Sequence, residues 1–348
     1  MERVFSDAYC TIAASSAKSS IDGFLARRQK RNHMKLSSPG NPDLFVCYDI
    51  DDFHQDVELG PLSQRGWVLQ ERALSRRTIY YTTTQVYWEC GVGVRCETLS
   101  RLRKRQVSLG DAQFPAFALE YFRDGRQVLV QDLFERYSGL AFTRPTDRDV
   151  ALLGLQRRMA NTFGTYAAYG MFEAFFARGL LWRRGGSEDQ LMKPIKWPKG
   201  HHVPSWSWLS KLGPISFMEL RFERIVWDSK EIINPLRKRR VSAPCQSEEE
   251  MVEPDEGLLR GRSSKLLLEE KDRKQLIFDV REDYGLDSLR CVVVGHDKNM
   301  DAQVEERNYY ALVIRPRDDS DDIVYERVGV VTLRANQIGD KESLVNIR

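Results

Sequence analysis

The sequence lacks any long apolar run. No stretch approaches the roughly eighteen consecutive apolar residues that a transmembrane helix needs, and the N-terminus has no apolar signal-peptide core. The formal net charge of +3 is too small to indicate binding to nucleic acid. These absences favour a cytoplasmic protein that interacts with neither membranes nor nucleic acid.

Metal-ligating side chains are also few. The chain has 5 histidines and 6 cysteines. Cys90 and Cys96 do not have the spacing of a zinc knuckle, and the adjacent His201 and His202 would face opposite ways on a strand. We therefore predict no metal site and no bound cofactor, and we interpret the cysteines as reduced thiols of an intracellular protein.

Signatures of three common enzyme classes are missing. The chain has no Gly-x-Ser-x-Gly elbow of a hydrolase and no His-Glu-x-x-His pair of a zinc peptidase. Gly91-Val92-Gly93 is not followed by the Lys-Ser or Lys-Thr helix start that a phosphate-binding loop requires. What the chain does have is 42% hydrophobic and 30% charged residues, the composition of a soluble globular protein with its core divided between domains.

Residues 60–90 carry the clearest local pattern, which predicts a helix followed by a β-hairpin. Ser63 is a candidate cap for a helix over residues 64–74, and β-branched and aromatic residues predict strands at 78–81 and 85–89. One apolar stripe of this helix consists of Trp67, Gln70, Glu71 and Leu74. A carboxylate on such a stripe needs a cation or hydrogen-bond donors, so Glu71 has a structural or a chemical reason for its position.

The run RGWVLQER, followed by YWEC, resembles the last signature block of the fungal heterokaryon-incompatibility (HET) domain, Arg-x-Trp-x-x-Gln-Glu-Arg. The segments MERVFSDAYCTIAASSA, LFERYSGLAFTRPTDRDVALLGLQRRM, PSWSWLS and YERVGVVTL resemble other parts of the same proteins. The residues that match the motif are Arg65, Trp67, Gln70, Glu71, Arg72, Tyr87, Trp88, Glu89 and Cys90. Two earlier blocks of the family, Ala-Leu-Ser-Tyr-x-Trp-Gly and Trp-Ile-Asp-x-x-Cys-Ile-Asn-Gln, are absent, so we expect a HET domain truncated at its N-terminus.

The resemblance implies a partial HET domain at residues 1–100, of α/β class and similar to the flavodoxin-like Toll/interleukin-1 receptor (TIR) domain. It also implies a helical segment at 101–209 that is typical of HET-family proteins. Composition predicts a β-rich C-terminal region at 210–348. A charged loop at about 237–257 interrupts this region, and we expect it to be disordered.

Local patterns predict further elements. A short buried strand is predicted at 10–15 and another strand at 44–50. Helices are predicted at 128–137, after a cap at Thr146, and at 166–182, where the run is apolar almost all round. In the C-terminal region, strands are predicted at 215–217, 221–227, 258–261, 265–269, 276–280, 289–294, 309–314 and 328–333.

Two groups of residues have both a functional and a structural interpretation. The basic run 237–240 suits a nuclear localisation signal, but a solvated loop is the more frequent meaning of such a run. Trp206 and Trp208 suit stacking on a ligand, but packing is more frequent for this Ser-Trp alternation.

The resemblance implies a role in fungal non-self recognition and programmed cell death, exerted through protein interaction. It identifies no partner and leaves open a homo-oligomer. An alternative rests on the remote similarity of HET domains to TIR domains, some of which hydrolyse NAD with a helical glutamate in a Trp-x-x-x-Glu arrangement.

Trp67 and Glu71 have this spacing, so Glu71 is the candidate catalytic residue and NAD the candidate substrate. In the structural interpretation, Glu71 pairs with Arg65, Arg72 or another arginine. The missing N-terminal blocks favour the structural interpretation, because they should supply the other wall of the site.

Overall fold

A computed structural model describes residues 2–25, 32–98, 100–102, 109–110, 114–121, 125–186, 192–221, 223–237, 257–280, 284–298, 307–317 and 323–348. The chain forms two compact units, residues 1–123 and residues 124–348. The division at residues 100 and 209 that the sequence suggested stays a prediction. The basic run at 26–31, most of the charged loop at 237–257, and Cys245 lie outside the described residues.

The N-terminal unit combines short helices with a five-stranded sheet. Ser63 does not cap the predicted helix, because a 3₁₀ turn at Pro61–Gln64 precedes it and the helix itself begins at Gly66. The elements are α1 (Glu2–Asp7), β1 (Thr11–Ala13), β2 (His33–Leu36), β3 (Leu44–Cys47), α2 (Gly66–Leu74), β4 (Arg77–Tyr81), β5 (Val86–Cys90), β6 (Gly93–Cys96), β7 (Arg101–Leu102) and α3 (Ala116–Tyr121).

The five strands follow the order β1-β4-β5-β6-β7. β1 and β4 are parallel, with Thr11 opposite Thr78, and α2 lies between them in the chain. From β4 to β7 the sheet is an antiparallel meander. The predicted helix and hairpin are therefore confirmed, as is the mixture of helices and strands. The finer similarity to a flavodoxin-like fold stays a prediction, because only one pair of this sheet is parallel.

A small core holds the N-terminal sheet together. Tyr80 and Tyr87 contribute the largest side chains, and the ring of Phe53 packs edge-on against both of them. The other buried members are Ala13, Val57, Val94 and Cys96. Two of the core tyrosines thus come from adjacent strands, β4 and β5, where they lie directly opposite each other.

The C-terminal unit begins with the two predicted helices. They are α4 (Arg126–Ser138) and α5 (Val150–Phe163). The cap of α5 is Asp149 and not Thr146. The Asp149 carboxylate accepts a hydrogen bond from the backbone N–H of Val150 at 2.7 Å. The prediction of Thr146 as the cap is wrong because Thr146 lies within a 3₁₀ turn, Pro145–Asp147, that ends before the helix begins at Val150.

The helix predicted at 166–182 is wrong. This segment forms β8 (Ala167–Ala168), β9 (Met171–Phe172), the single turn α6 (Phe176–Gly179) and the start of β10 (Trp182–Arg184). Tyr169 and Gly170 have φ values of 53° and 68°, which a continuing right-handed helix does not allow. An apolar run alone does not distinguish a buried helix from short buried strands.

The rest of the C-terminal unit is β-rich, as predicted. The largest sheet closes on itself, because β18 pairs with both β19 and β16, and so five strands form a barrel in the order β18-β19-β20-β21-β16. The strands are β11 (Lys193–Pro194), β12 (Lys211–Leu212), β13 (Ile215–Phe217), β14 (Ile225–Trp227), β15 (Ile232–Ile233), β16 (Leu259–Leu266), β17 (Leu276–Phe278), β18 (Arg290–Asp297), β19 (Tyr309–Pro316), β20 (Val324–Leu333) and β21 (Ile338–Ile347).

Two details of the barrel correct the sequence prediction. The strands predicted at 258–261 and 265–269 are one strand, β16, with register shifts at Arg262–Ser264 and Ser264–Leu266. β21 was not predicted, because its sequence IGDKESLVNI is mostly polar and has no regular alternation. Its backbone nevertheless pairs with β16 along almost its whole length.

The Ser-Trp alternation serves packing, as the sequence favoured. Trp206 and Trp208 are fully buried. Their indole N–H groups donate to the backbone carbonyls of Gly257 and Gly170, at 2.9 Å each. Each large ring thereby fills the core with its one polar atom satisfied.

Two fully buried arginines of the C-terminal unit have opposite surroundings. Arg327 on β20 pairs with Asp279 through Nε–Oδ2 at 3.1 Å and Nη2–Oδ1 at 3.2 Å. It also donates to the carbonyl of Leu180 and lies 3.5 Å from the ring centre of Trp182. Arg148, by contrast, has no carboxylate partner in the described part of the chain.

The guanidinium of Arg148 lies 5.2 Å from the ring centre of Trp208, and its Nε and Nη1 atoms have no hydrogen-bond acceptor among the described residues. Its Nη2 makes a long contact of 3.4 Å with the carbonyl of Gly213. Burial lowers the pKa of Arg148 to about 10. The charge of this arginine is therefore a cost to folding rather than a contribution.

Replacing each arginine by methionine should have opposite effects. Arg327→Met leaves the Asp279 carboxylate buried and alone, so the free energy of unfolding of the C-terminal unit should fall by about 3–5 kcal/mol. Arg148→Met removes an unpaired buried charge and should leave that free energy unchanged or raise it. Hydrogen exchange of the barrel amides measures both effects, and a large loss of protection in Arg148→Met would contradict this interpretation.

Candidate functional site

Four segments meet around the side chain of Arg72. Arg72 lies in the last turn of α2, Glu89 on β5 and Tyr80 on β4. Glu58 is the last residue of a separate helical turn, His54–Glu58, that comes before the 3₁₀ turn at Pro61–Gln64. The pairing of β4 with β5 sets Thr78 opposite Glu89, which brings the Glu89 carboxylate beneath the helix. We call these four side chains the Arg72 cluster.

Arg72 and Glu89 form a two-pronged ion pair. Nε of Arg72 donates to Oε2 of Glu89 at 2.8 Å, and Nη2 donates to Oε1 at 2.9 Å. The Tyr80 hydroxyl donates to the same Oε2 at 2.6 Å, and Nη2 of Arg72 also donates to Glu58 at 3.3 Å. Such parallel N–H···O bonds are the strongest ion-pair geometry that proteins use.

The centre of the cluster is closed to solvent, and Glu58 at its edge is 13% exposed. Arg72 is 6% exposed and Glu89 is 0% exposed, and the guanidinium lies 5.3 Å from the ring centre of Phe53. Gly110 covers the carboxylate from another side. Its φ is +76°, and a Cβ there would stand 3.0 Å from three atoms of Glu89. A larger residue at position 110 would therefore be strained and would collide with the buried glutamate.

The protonation states follow from this enclosure. Burial by itself would lower the pKa of Arg72, but the charge of Glu89, the contribution of Tyr80, the hydrogen bonds to Glu89 and the charge of Glu58 together outweigh burial and hold the pKa well above its ordinary value. Burial, and then the negative charge of Glu89, raise the pKa of Tyr80. Tyr80 is therefore a hydrogen-bond donor at neutral pH and Arg72 is a cation.

A second polar cluster anchors β5 to the loop before α2. The Tyr87 hydroxyl donates to Oδ2 of Asp56 at 2.6 Å and accepts from the Gln85 amide at 3.0 Å. Gln85 also donates to Oδ1 of Asp51 at 2.9 Å. Burial and the hydrogen bond to Asp56 raise the pKa of Tyr87. This cluster fixes the chain that carries Phe53 and Glu58.

The structure separates the motif residues into two groups. The interior group consists of Gln70, Arg72, Tyr87 and Glu89, all of them buried. Arg72, Tyr87 and Glu89 belong to the two clusters. The peripheral group consists of Arg65, which is exposed, and Trp67, Glu71, Trp88 and Cys90, which are half-buried. The predicted stripe of α2 is thus partly wrong, because Leu69, Arg72 and Ala73 are buried where Trp67 and Glu71 are not.

Glu71 does not pair with Arg72. Adjacent residues on a helix point in different directions, so the Arg72 guanidinium turns towards Glu89 instead. Burial raises the pKa of Glu71, and the charge of Arg65 opposes that shift. No ion pair or side-chain hydrogen bond reaches the Glu71 carboxylate from the described residues, although its backbone carbonyl accepts from the Ser75 hydroxyl at 2.7 Å.

Sequence reasoning missed three residues of the Arg72 cluster and its surroundings. Glu58 and Phe53 lie in a stretch that reads as a polar connection, and Gly110 lies in a stretch that reads as irregular. No local pattern marks any of them, because each acts through contacts between distant segments. The closest signal was the requirement that a buried charge on α2 have a partner.

The comparisons with known proteins agree with the motif. The family model described as "Heterokaryon incompatibility protein (HET)" matches residues 1–71. No curated protein and no solved structure matches the chain. Residues 1–71 are thus similar to the HET domain, whereas Arg72 and Tyr87–Cys90 lie beyond the matched residues and rest on the motif itself.

Other features bear on the predicted site types. Cys10, Cys47, Cys90, Cys96 and Cys291 are free thiols. Across the described ranges, no group of three or more histidine, cysteine, aspartate or glutamate side chains could hold a metal ion. None of the helices in these ranges is long and apolar enough to cross a membrane.

Breaking the Arg72 cluster should unfold the N-terminal unit. Glu89→Gln keeps the shape of the side chain but leaves the Arg72 charge buried without its main partner, at a cost of about 3–5 kcal/mol. Asp43→Asn is the matched control, because Asp43 pairs with Lys35 at the exposed surface of the same unit, at 2.7 Å. Hydrogen exchange of the β4 and β5 amides should show a large loss of protection in Glu89→Gln and none in Asp43→Asn. Equal protection in both variants would show that the buried pair does not stabilise the unit.

Glu71→Gln should behave differently from Glu89→Gln. Because the folded state raises the pKa of Glu71, this group favours folding below its ordinary pKa, and that contribution is lost as the pH rises through the raised value. At pH 7 the ionised carboxylate is therefore a cost that glutamine removes. The stability of the N-terminal unit at neutral pH should be unchanged or higher. A clear loss of stability in Glu71→Gln would instead reveal an ion pair at this residue.

Proposed function

We propose that this protein acts in heterokaryon incompatibility, the recognition of non-self between fungal cells, and that it promotes programmed cell death from the cytoplasm through protein interaction. The HET-domain sequence at residues 1–71 supports the family part of this proposal. The observation that carries the mode of action is the Arg72 cluster. Its central groups, Arg72 and Glu89, are buried and bonded to each other, which supports a motif that holds the domain in shape rather than one that meets a substrate.

The TIR-like part of the proposal rests on local topology. Strand β1, helix α2 and strand β4 follow one another, and the two strands are parallel neighbours. This is the unit from which flavodoxin-like sheets are built. The strands β5 to β7 then extend the sheet with antiparallel pairing only.

A second candidate function is the hydrolysis of NAD with Glu71. The observation in its favour is a half-buried carboxylate without an ion pair in the described part of the chain, one helical turn after Trp67. Such a group can stabilise the oxocarbenium-like ribosyl state while nicotinamide leaves. The structural interpretation of Glu71 then depends on the charge of Arg65, which favours the ionised carboxylate from a distance.

Glu71→Gln separates the two functions, because this substitution leaves the fold intact. The chain is expressed under a regulated promoter in a filamentous fungus, and both viability and NAD content are followed. Under the interaction proposal, wild type and Glu71→Gln should reduce viability equally. The NAD content of the cells should then fall only as viability falls, to the same extent in both strains. Under the NAD proposal, Glu71→Gln loses the effect on viability and on NAD together, with a rate loss of about 10²–10³ for the purified protein.

Two controls complete this experiment. Glu270→Gln removes an exposed carboxylate of the C-terminal unit and should change nothing. Glu89→Gln destabilises the N-terminal unit and should abolish the response under either function. Wild-type expression that leaves viability untouched would contradict the proposed role in cell death.

A further inference from the structure

One exposed histidine is joined to the Arg72 cluster through a shared carboxylate. Nδ1 of His54 lies 2.8 Å from Oε2 of Glu58, and Nη2 of Arg72 donates to the other oxygen, Oε1, at 3.3 Å. The side chain of His54 is 49% exposed, whereas that of Glu58 is 13% exposed and that of Arg72 is 6% exposed. Glu58 thus lies between solvent and the buried ion pair of the N-terminal unit.

His54 and Glu58 are the first and last residues of a single π-helical turn. The backbone N–H of Leu59 closes the turn by donating to the carbonyl of His54 at 2.8 Å. Such turns are rare in proteins, and a single turn has few backbone hydrogen bonds of its own. The contact between the His54 and Glu58 side chains therefore adds to a small number of interactions that keep the turn closed.

Other titratable groups lie close to this turn. In the described part of the chain, the 3₁₀ turn at Pro61–Gln64 contributes no charged side chain. The titratable side chains in the hydrogen-bonded surroundings of the His54–Glu58 turn are Asp51, Asp52, Asp56, Arg72, Tyr80, Tyr87 and Glu89. Glu71 lies beside Arg72 on α2, and burial raises its pKa. Histidine is the side chain that ordinarily changes charge between pH 5 and pH 8, so His54 and Glu71 are the candidates for titration in this range.

We propose that His54 and Glu58 form a pH-sensitive latch at the edge of the Arg72 cluster. With a proton on both ring nitrogens, His54 is a cation that holds the Glu58 carboxylate beside Arg72 through an ion pair. When the ring loses one proton, the charge attraction is lost and at most one hydrogen bond to the neutral ring is left. The latch is therefore closed at the acidic end of the range from pH 5 to pH 8 and loosens towards the basic end. This inference does not depend on the proposed role in incompatibility.

The latch acts on Glu58 without disturbing the rest of the cluster. His54 and Arg72 use different oxygens of the carboxylate, so the protonated ring does not compete with the guanidinium. Arg72 keeps its two bonds to Glu89 in either state. An ion pair between residues four apart on a helical turn changes a local equilibrium by about twofold. Opening of the latch therefore loosens one turn and lets water reach Arg72 at this edge, while the unit stays folded.

Two signals of the full 348-residue protein test the proposal between pH 5 and pH 8. After correction for the intrinsic pH dependence of hydrogen exchange, the protection of the Leu59 amide should fall about twofold as the pH rises. The NMR signal of the Arg72 Nε–H group should shift over the same range. His54→Gln should remove both changes. His33→Gln is the matched control, because His33 is the other histidine of the N-terminal unit, is exposed and lies on β2, and this variant should keep both changes.

Glu58→Gln keeps the test decisive if His54→Gln disturbs the turn. In this variant His54 still takes up its proton but has no carboxylate to hold, so the protection of Leu59 should no longer change with pH. Changes that persist in His54→Gln would assign the titration to Glu71 and overturn the proposal. A wild type in which neither signal changes between pH 5 and pH 8, or equal effects of His54→Gln and His33→Gln, would overturn it as well.

Discussion

The N-terminal unit depends on one ion pair, that between Arg72 and Glu89. The interaction joins the end of α2 to β5, and through Tyr80 and Glu58 it reaches β4 and the loop before the helix. A charge pair in such enclosure requires every partner, because the loss of one leaves the other desolvated and uncompensated. The same requirement explains the left-handed Gly110 above the carboxylate, where no larger residue fits.

The C-terminal unit also contains a buried ion pair between an arginine and a carboxylate, formed by Arg327 and Asp279. Arg327 joins the barrel strand β20 to Asp279 and to the backbone of the segment at Leu180–Trp182. Both arginines, Arg72 and Arg327, thus join segments that lie far apart in the chain. Of the motif residues, Arg72 and Glu89 are those that hold distant segments of the N-terminal unit together.

Local patterns predicted the helix α2, the hairpin β4–β5 and the helices α4 and α5, because each needs only its own apolar periodicity. The motif also identified both partners of the central ion pair, but it could not show that Arg72 turns to Glu89, 17 residues away, rather than to its neighbour Glu71. The apolar run at 166–182 fails as a helix because Tyr169 and Gly170 adopt left-handed conformations. β21 escaped prediction because a polar strand owes its place to backbone pairing with β16.

A double-mutant cycle on Arg72 and Glu89 tests the central claim most directly. Arg72→Met, Glu89→Leu and the double variant are compared with the wild type by hydrogen exchange of the β4 and β5 amides in the full chain. The ion pair predicts that each single change strands a charge and that the double change restores much of the loss. The coupling free energy should then be about 2–3 kcal/mol. Costs that add to within about 0.5 kcal/mol would contradict the claim that this pair holds the unit together.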